Sequence, residues 1–192
     1  STKLVAASNS AQNLKDAADY IATGTSDQTT ITNALTAAAG GKVYLFEGTY
    51  YISAAVSIPN NTTLAGGGDG TVVKIANGTN PATDVPMMVN SDTSGTGTGV
   101  TIRDFKFDGN GANQTGGHYL GISFNNLGSG TGATAKRGAL ISNMTIVDFA
   151  VSGWAPTAVV ITNNKYTTIE NNRIINSAKP LYLHWLSENF MN

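Results

Sequence analysis

The residue types needed for acid–base chemistry come together in one short segment, TIRDFKFDG, which begins at Thr101. Asp104 and Asp108 are its two carboxylates, and Arg103 and Lys106 are the cations beside them. Carboxylates held in this way can transfer protons to and from a substrate. Both also suit turns, because Asp tolerates left-handed backbone angles and Asp108 precedes a glycine. Asp104 and Asp108 are therefore candidates for catalysis, with a turn as the alternative for each.

A Gly-rich insertion, residues 109–120, contributes a third catalytic candidate, His118. An imidazole titrates near neutral pH and can act as a general acid or base. The alternative for His118 is a solvated side chain in a loop. Tyr119 follows directly, and its ring could be a platform on which a ligand stacks.

A second Gly-rich insertion, residues 128–138, ends in Lys136 and Arg137, the densest positive charge in the chain. These side chains could bind anionic groups such as carboxylates or sulfates, or serve only solubility. Both insertions project from the stack of strands, each between two consecutive strands. We therefore expect them to lie near one another. They would then bound a shallow groove, with Tyr119 as the stacking platform and the two cations as anion contacts.

The segment PLYLHWL near the end of the chain alternates between apolar and other residues, which predicts a strand. With Leu181, Leu183 and Trp185 facing inward, Tyr182 and His184 face outward. Outward aromatic rings on such a strand could stack on a flat apolar face of a ligand. The alternative is contact with a further coil or with a neighbouring chain.

Composition excludes several classes of protein. The 192 residues are 41% hydrophobic, which is enough for a packed core, and the formal net charge is −1. Without a basic face, nucleic acid is not an expected partner. The chain has no cysteine, so disulfides, thiol nucleophiles and cysteine metal sites are excluded, and no other metal motif is present. No apolar run approaches the ~18 residues of a membrane span.

The first forty residues have helical periodicity, which the rest of the chain lacks. A short strand is predicted from Lys3 to Ser8, followed by a helix that begins after Ser10 and reaches Ile21. A second helix begins after Ser26 or Asp27 and ends at a pair of glycines. The inward stripe of the second helix is Ile31, Ala34, Leu35 and Ala38.

Three later stretches, beginning at Thr101, Leu140 and Thr168, repeat one phrase with variable spacing. The phrase consists of an apolar residue, an Asp or Asn two positions later, and a second apolar residue five positions after the first. The aligned positions are Ile102, Ile141 and Ile169; Asp104, Asn143 and Asn171; and Phe107, Ile146 and Ile174, with Leu64 as a further member of the first set. Such phrases predict stacked coils about 4.8 Å apart, with apolar ladders inside and Asp or Asn at the corners.

The segment from Asp27 to Gly66 resembles the opening of right-handed parallel β-helix proteins of the pectate-lyase-like superfamily. Its helix is followed by GGKVYL, GTYYI and IPNNTTLAG, which match the family patterns GG-x-V-x-L, G-x-Y-x-I and I-P-x-N-x-T-L-x-G. The resemblance implies an all-β fold, a right-handed single-stranded parallel β-helix of about six coils. Residues 1–41 would form an N-terminal cap of a short strand and two helices, and residues 42–192 would form coils that continue beyond the chain.

These coils would enclose a single apolar interior. The residues predicted to line it are Val43, Leu45, Leu64, Val73, Ile102, Phe107, Ile122, Ile141, Ile146, Val160, Ile169 and Ile174.

For function the resemblance leaves two hypotheses open, because the scaffold carries lyases, hydrolases, tail spikes and adhesins. In the first, the chain is a recognition module of a secreted, cell-surface or phage tail-spike-like protein, located outside the cell or on a virion. It would bind a polysaccharide or cell-surface glycan through Tyr119, Lys136, Arg137, Tyr182 and His184, without a cofactor. In the second, it is the N-terminal part of a polysaccharide lyase or glycoside hydrolase whose catalytic acids lie mainly beyond residue 192. Calcium would be implied only for a lyase.

The Gly-His-Gly and Arg-x-Lys motifs of the family's galacturonan hydrolases are missing from the sequence, which favours the first hypothesis. An open last coil would also favour pairing with a second subunit, because strand edges attract other strands. A homo-oligomer or stacked subunits are therefore possible partners.

Overall fold

The computed structural model describes residues 1–81, 83–184 and 190–191, and it consists mainly of short strands. The strands are β1 Thr2–Ala6, β2 Tyr20–Ile21, β3 Lys42–Leu45, β4 Gly48–Ile52, β5 Val56–Ile58, β6 Thr63–Ile75, β7 Val85–Asn90, β8 Val100–Asp108, β9 Tyr119–Asn125, β10 Ala139–Ser142, β11 Thr145–Phe149, β12 Thr157–Thr162, β13 Thr168–Glu170, β14 Arg173–Ser177, β15 Lys179–His184 and β16 Phe190–Met191. The α-helices are α1 Gln12–Ala17 and α2 Gln28–Ala37, and two single 3₁₀ turns span Gly111–Asn113 and Gly132–Thr134.

The strands pair in parallel and form three faces of a coil that the chain traverses repeatedly. The first face contains β3, β10, β13, β16 and the beginnings of β6 and β8. The second contains β4, β11, β14 and the ends of the same two long strands. The third is a separate sheet in the order β5-β7-β9-β12-β15. The molecule is a parallel β-helix, and β1 extends its first face by pairing with β3.

The strand register confirms the ladders predicted from the repeated phrase. Leu64 pairs with Ile102, which pairs with Ile141, which in turn pairs with Ile169. On the second face Ile146 pairs with both of its predicted partners, one in β8 and one in β14. The phrase is one rung of the stack.

The polar position of the phrase lies at the corner between the first and second faces. Asp104, Asn143 and Asn171 have φ angles of 62°, 53° and 53°, which is the left-handed region that the turn prediction requires. Asn143 Nδ2 donates to Asp104 Oδ1 at 3.0 Å, so successive corners are joined by their side chains. The corner is therefore set by residue type and reinforced by stacking.

The apolar core runs the length of the stack. Nine of the predicted interior residues belong to it, and Ile169 and Ile174 pack against it while partly buried. Val160 is buried, at 7% exposed, but it lies outside the main core cluster, because its neighbours Val159 and Ile161 point into that cluster. Val160 points outward, where it pairs with Tyr182 of the next coil.

The N-terminal segment agrees with the sequence in its short first strand, β1, and in its second helix. The buried residues of α2 are Ile31, Ala34 and Leu35, as the apolar stripe predicts. The first helix is shorter than predicted, since it ends at Ala17, and Ile21 lies exposed in β2 instead. Within the described residues, no helix is long and apolar enough to cross a bilayer.

Candidate functional site

The two candidate carboxylates of the opening motif are both occupied by neighbouring side chains. Asp104 contacts Arg103 and accepts the hydrogen bond from Asn143. Asp108 is 7% exposed, and its carboxylate lies 3.0 Å from Lys74 Nζ and accepts from the backbone N–H of Asn110 at 2.7 Å. These contacts favour the structural alternative for both residues.

The same pair does not form a calcium site. Calcium needs six to eight oxygen ligands, and each carboxylate here already holds a cationic side chain. Across the described residues, no group of three or more acidic or histidine side chains is placed to hold a metal ion.

Tyr119 was expected to be an exposed stacking platform, and that prediction is wrong. Tyr119 is the first residue of β9, and its side chain points into the core. The ring is fully buried and lies edge-on to that of Phe149, with ring centroids 6.1 Å apart. Its hydroxyl donates to the backbone carbonyl of Gly109 at 3.3 Å. Burial, followed by the nearby charge of Asp108, raises the pKa of Tyr119 to about 12.

The prediction of a groove between the two insertions is also wrong. Residues 109–120 precede the body of β9 and residues 128–138 follow it, so that seven-residue strand separates them by about 20 Å. Lys136 and Arg137 are exposed at the far corner, and Arg137 Nη2 donates to Thr101 Oγ1 at 3.1 Å. These cations lie away from His118.

His118 lies at the near corner, exposed, beside a carboxylate and an indole. Its Nδ1 is 3.4 Å from Asp84 Oδ1, and its ring meets Trp154 edge-on with centroids 4.6 Å apart. The His118 side chain is 45% exposed and Trp154 is 41% exposed. An imidazole that is protonated here forms an ion pair with Asp84.

Strand pairing on the third face brings these three side chains together. Val85 pairs with Tyr119, so the residues that precede them, Asp84 and His118, are neighbours on adjacent coils. Two backbone hydrogen bonds fix the contact. The carbonyl of His118 accepts from the N–H of Val85 at 2.7 Å, and the backbone N–H of His118 donates to the carbonyl of Pro81 at 3.2 Å.

Trp154 reaches the same point from a tight turn just before β12. The backbone N–H of Trp154 donates to the backbone carbonyl of Val151 at 3.0 Å. Gly153, within the turn, has a φ angle of 77°. Gly116 leaves room for the indole, since a β-carbon at that position would lie 3.3 Å from its Nε1.

A cleft of about 370 Å³ continues from this corner along the outer side of the third face. Asp84 and Lys179 stand at its edge, and Tyr182 forms a wall. Tyr182 is 51% exposed, and its ring centroid is 5.9 Å from that of His184. The outward orientation predicted for Tyr182 is confirmed, as is the inward packing of the two leucines of β15. Trp185 lies outside the described residues.

We call the group of Asp84, His118, Trp154, Lys179 and Tyr182 the third-face site. It combines exposed aromatic rings with one carboxylate, one ammonium group and one imidazole. Rings supply flat apolar surfaces for stacking, and the two nitrogen groups can bind an anionic oxygen. The imidazole can also transfer a proton.

Sequence reasoning identified His118 and Tyr182 but missed the other three members of the third-face site. Trp154 carried a usable signal, because a large aromatic residue between Gly153 and Pro156 lies in a turn and must be at the surface. Asp84 and Lys179 carried none, since only the register of the third face brings them to the cleft.

The fold is shared with known structures. The chain is similar to the A-module of mannuronan C-5 epimerase AlgE4 from Azotobacter vinelandii, at 22% identity and a TM-score of 0.54, over 88% of this chain and 50% of that one. It is also similar to the A-module of AlgE6 from the same organism, at 22% identity and a TM-score of 0.57, over 89% and 55% of the two chains. The chain thus spans about half the length of each. At this identity the likeness establishes the parallel β-helix and nothing finer.

The other comparisons gave no relatives. No protein-family model matches the sequence, and neither does any curated protein.

Proposed function

We propose that the protein binds an extended polysaccharide on the third-face site, as part of a protein that acts outside the cell. The observation that carries the proposal is the exposed Trp154 ring, held edge-on to His118, which in turn contacts Asp84 of a cleft that Tyr182 also lines. Exposed aromatic side chains held rigidly at a cleft are typical of ligand sites, since each offers apolar area at little cost in entropy.

Acidic units are the best fit among polysaccharides. Lys179 lines the cleft, and a sugar carboxylate beside its ammonium group would gain charge-assisted hydrogen bonds. The two similar structures named above are modules of enzymes named for mannuronan, a uronate polymer, which supports the same ligand class.

The test is binding of mannuronan oligomers to the wild type and to Trp154→Ala and Tyr182→Ala variants. Each substitution removes one stacking surface, and we expect it to weaken binding about fivefold, equivalent to about 1 kcal/mol. Tyr44→Ala is the matched control, because Tyr44 is a partly exposed tyrosine that points outward from the first face. Calorimetric titration that shows equal affinity in all four proteins would remove the third-face site from consideration.

A second candidate function is catalysis, as the N-terminal part of a polysaccharide lyase or glycoside hydrolase. The observation that favours it is the imidazole of His118 beside the carboxylate of Asp84, a pair that can orient and exchange a proton. Incubation of the protein with uronate polymers should then release unsaturated or reducing ends. Absence of both products, measured by absorbance and reducing-end assay, leaves recognition as the function.

We also propose that the β-helix is right-handed and that α2 closes its first end. Parallel strands are joined by right-handed crossovers in nearly all proteins. The apolar stripe of α2 packs into the same core as the first coils, which supports a role as a cap. An experimental structure that shows a left-handed path, or α2 away from the end of the core, would contradict this.

A further inference from the structure

A second cleft, of about 510 Å³, lies where the second face ends in the N-terminal coils. We call it the second-face cleft; Ser26, Tyr51, Lys74, Asn77 and Asn113 are among its lining residues. In the described part of the chain, no residue lines both this cleft and the third-face site. Its volume falls within the about 300–1,000 Å³ of sites for small molecules.

One wall of the second-face cleft is fixed by a buried carboxylate. Asp27 is fully buried and accepts hydrogen bonds from the backbone N–H groups of Thr23 at 3.0 Å, Gly24 at 2.9 Å and Tyr51 at 2.8 Å. These three bonds tie the loop before α2 to the end of β4. The wall is therefore in place before any ligand arrives, which reduces the entropy lost on binding.

The opposite wall presents one amide donor and one amide acceptor. The side chain of Asn110, which is buried, donates to Asn77 Oδ1 at 2.8 Å and accepts from Asn113 Nδ2 at 2.7 Å. Among the described residues, no hydrogen bond uses Asn77 Nδ2 or Asn113 Oδ1. Both side chains are exposed at the cleft, so these two atoms can bind a ligand.

The charge of the second-face cleft is neutralised within the protein. Lys74 Nζ lies 3.0 Å from Asp108 Oδ2, and both side chains are largely buried. Tyr51 pairs with Lys74 across adjacent coils, so its partly buried ring lies next to this ion pair. A ligand carboxylate would compete with Asp108 for the ammonium group, which disfavours an acidic ligand.

We propose that the second-face cleft binds a neutral sugar unit. A pyranose ring has an apolar side that suits the Tyr51 ring, and its adjacent hydroxyls both donate and accept, as the amides of Asn77 and Asn113 require. The site is separate from the third-face site in its residues and in its ligand class, and it stands on these contacts alone.

The experiment is saturation-transfer NMR of the full chain with three neutral probes, maltohexaose, cellohexaose and mannohexaose. We expect transfer to at least one of them, and a Tyr51→Ala variant should weaken that binding about fivefold. Tyr51→Phe, which keeps the ring, should retain it. Tyr44→Ala and Trp154→Ala should bind the neutral probe as the wild type does.

The outcomes separate this site from the third-face site. Absence of transfer to all three neutral probes overturns the proposal, and so does an equal loss in Trp154→Ala, which would place the sugar in the third-face site. Binding of neutral probes that depends on Tyr51 while mannuronan fails to bind would sustain this cleft and remove the proposed function. If Tyr51→Ala does not fold, Asn113→Ala decides in its place, because Asn113 is an exposed loop residue. Unchanged affinity in that variant overturns the proposal.

Discussion

Tyr119 brings a hydroxyl into the apolar core, and the protein accommodates it with a single hydrogen bond. The ring packs against Phe149, and the hydroxyl reaches the carbonyl of Gly109. A buried phenol resists ionisation, because a phenolate would lose its hydration without gaining a cationic partner. Burial and the charge of Asp108 accordingly raise the pKa of this group from its ordinary value of 10.0 to about 12.

The raised pKa predicts a stability loss in alkali. Below pH 10 Tyr119 is protonated in both folded and unfolded chains; between pH 10 and about 12 only the unfolded chain releases the proton, which favours unfolding. Urea denaturation should therefore show a steeper loss of stability over this window in the wild type than in Tyr119→Phe. At neutral pH the variant should be less stable by about 1 kcal/mol, because Gly109 loses its partner. Parallel pH profiles for the two proteins would refute the argument.

Side-chain hydrogen bonds between corner residues of adjacent coils, which we call corner ladders, hold successive strands in register. Besides the ladder at Asp104, Asn163 donates to Asn126 at 2.7 Å, and Asn176 donates to Asp148 at 2.7 Å. All these residues have left-handed backbone angles. Each ladder thus combines a residue that tolerates the corner with a hydrogen bond to the corner of the next coil.

Substitutions at Asn143 separate the two contributions of a corner residue to stability, its tolerance of the left-handed backbone angle and its hydrogen bond to the adjacent coil. Asn143→Ala removes the bond to Asp104 and places an ordinary residue at φ 53°, so we expect a loss of about 2 kcal/mol in the free energy of unfolding. Asn143→Gly removes the bond but suits the backbone, and should lose about half as much. Chemical denaturation measures both, and equal losses would mean that the left-handed angle costs nothing here.

Prediction from the sequence succeeded where strands repeat a phrase and failed where they do not. The rung of Ile102, Ile141 and Ile169 was readable because the same apolar and polar positions recur in three coils. Tyr119 was misplaced because the Gly-rich run before it gives no periodicity that marks where β9 begins. The phase of Val160 was likewise ambiguous, since β12 is apolar at four consecutive positions, 158–161, and alternation alone cannot orient such a strand.

The three faces of the whole molecule differ in what they display. At the corner between the first and second faces, Arg103 and Asp104 pair with each other, and on the second face Lys74 and Asp108 pair across coils. The charges of these two pairs are neutralised within the protein. The third face is bordered at both ends of β9 by insertions, and one of them supplies His118. Loops that rise beside a flat sheet create the concavity that a ligand site needs, which is why the third face carries the proposed function.

In a stack of coils, a substitution in one coil should destabilise the adjacent coils and have little effect beyond them. Ile141, in the fourth coil, is a suitable position to measure this. Ile141 is fully buried between Ile102 and Ile169, so Ile141→Asp would bury an unpaired carboxylate at a cost of several kcal/mol, comparable to the stability of a whole domain. We expect that variant not to fold. Leu140→Asp is the matched control, because the adjacent side chain points outward and is partly exposed, and it should fold normally.

A milder variant, Ile141→Ala, should remain folded while losing about 3 kcal/mol, as a cavity replaces the side chain. In a solenoid each coil contacts only its neighbours, so the loss should be local. Hydrogen exchange should then accelerate in β8, β10 and β13, and remain close to wild type in β1 and β3, which lie two or more coils away. Uniform acceleration along the chain would show that the coils unfold as one cooperative unit, and a stable, folded Ile141→Asp protein would contradict the stacking itself.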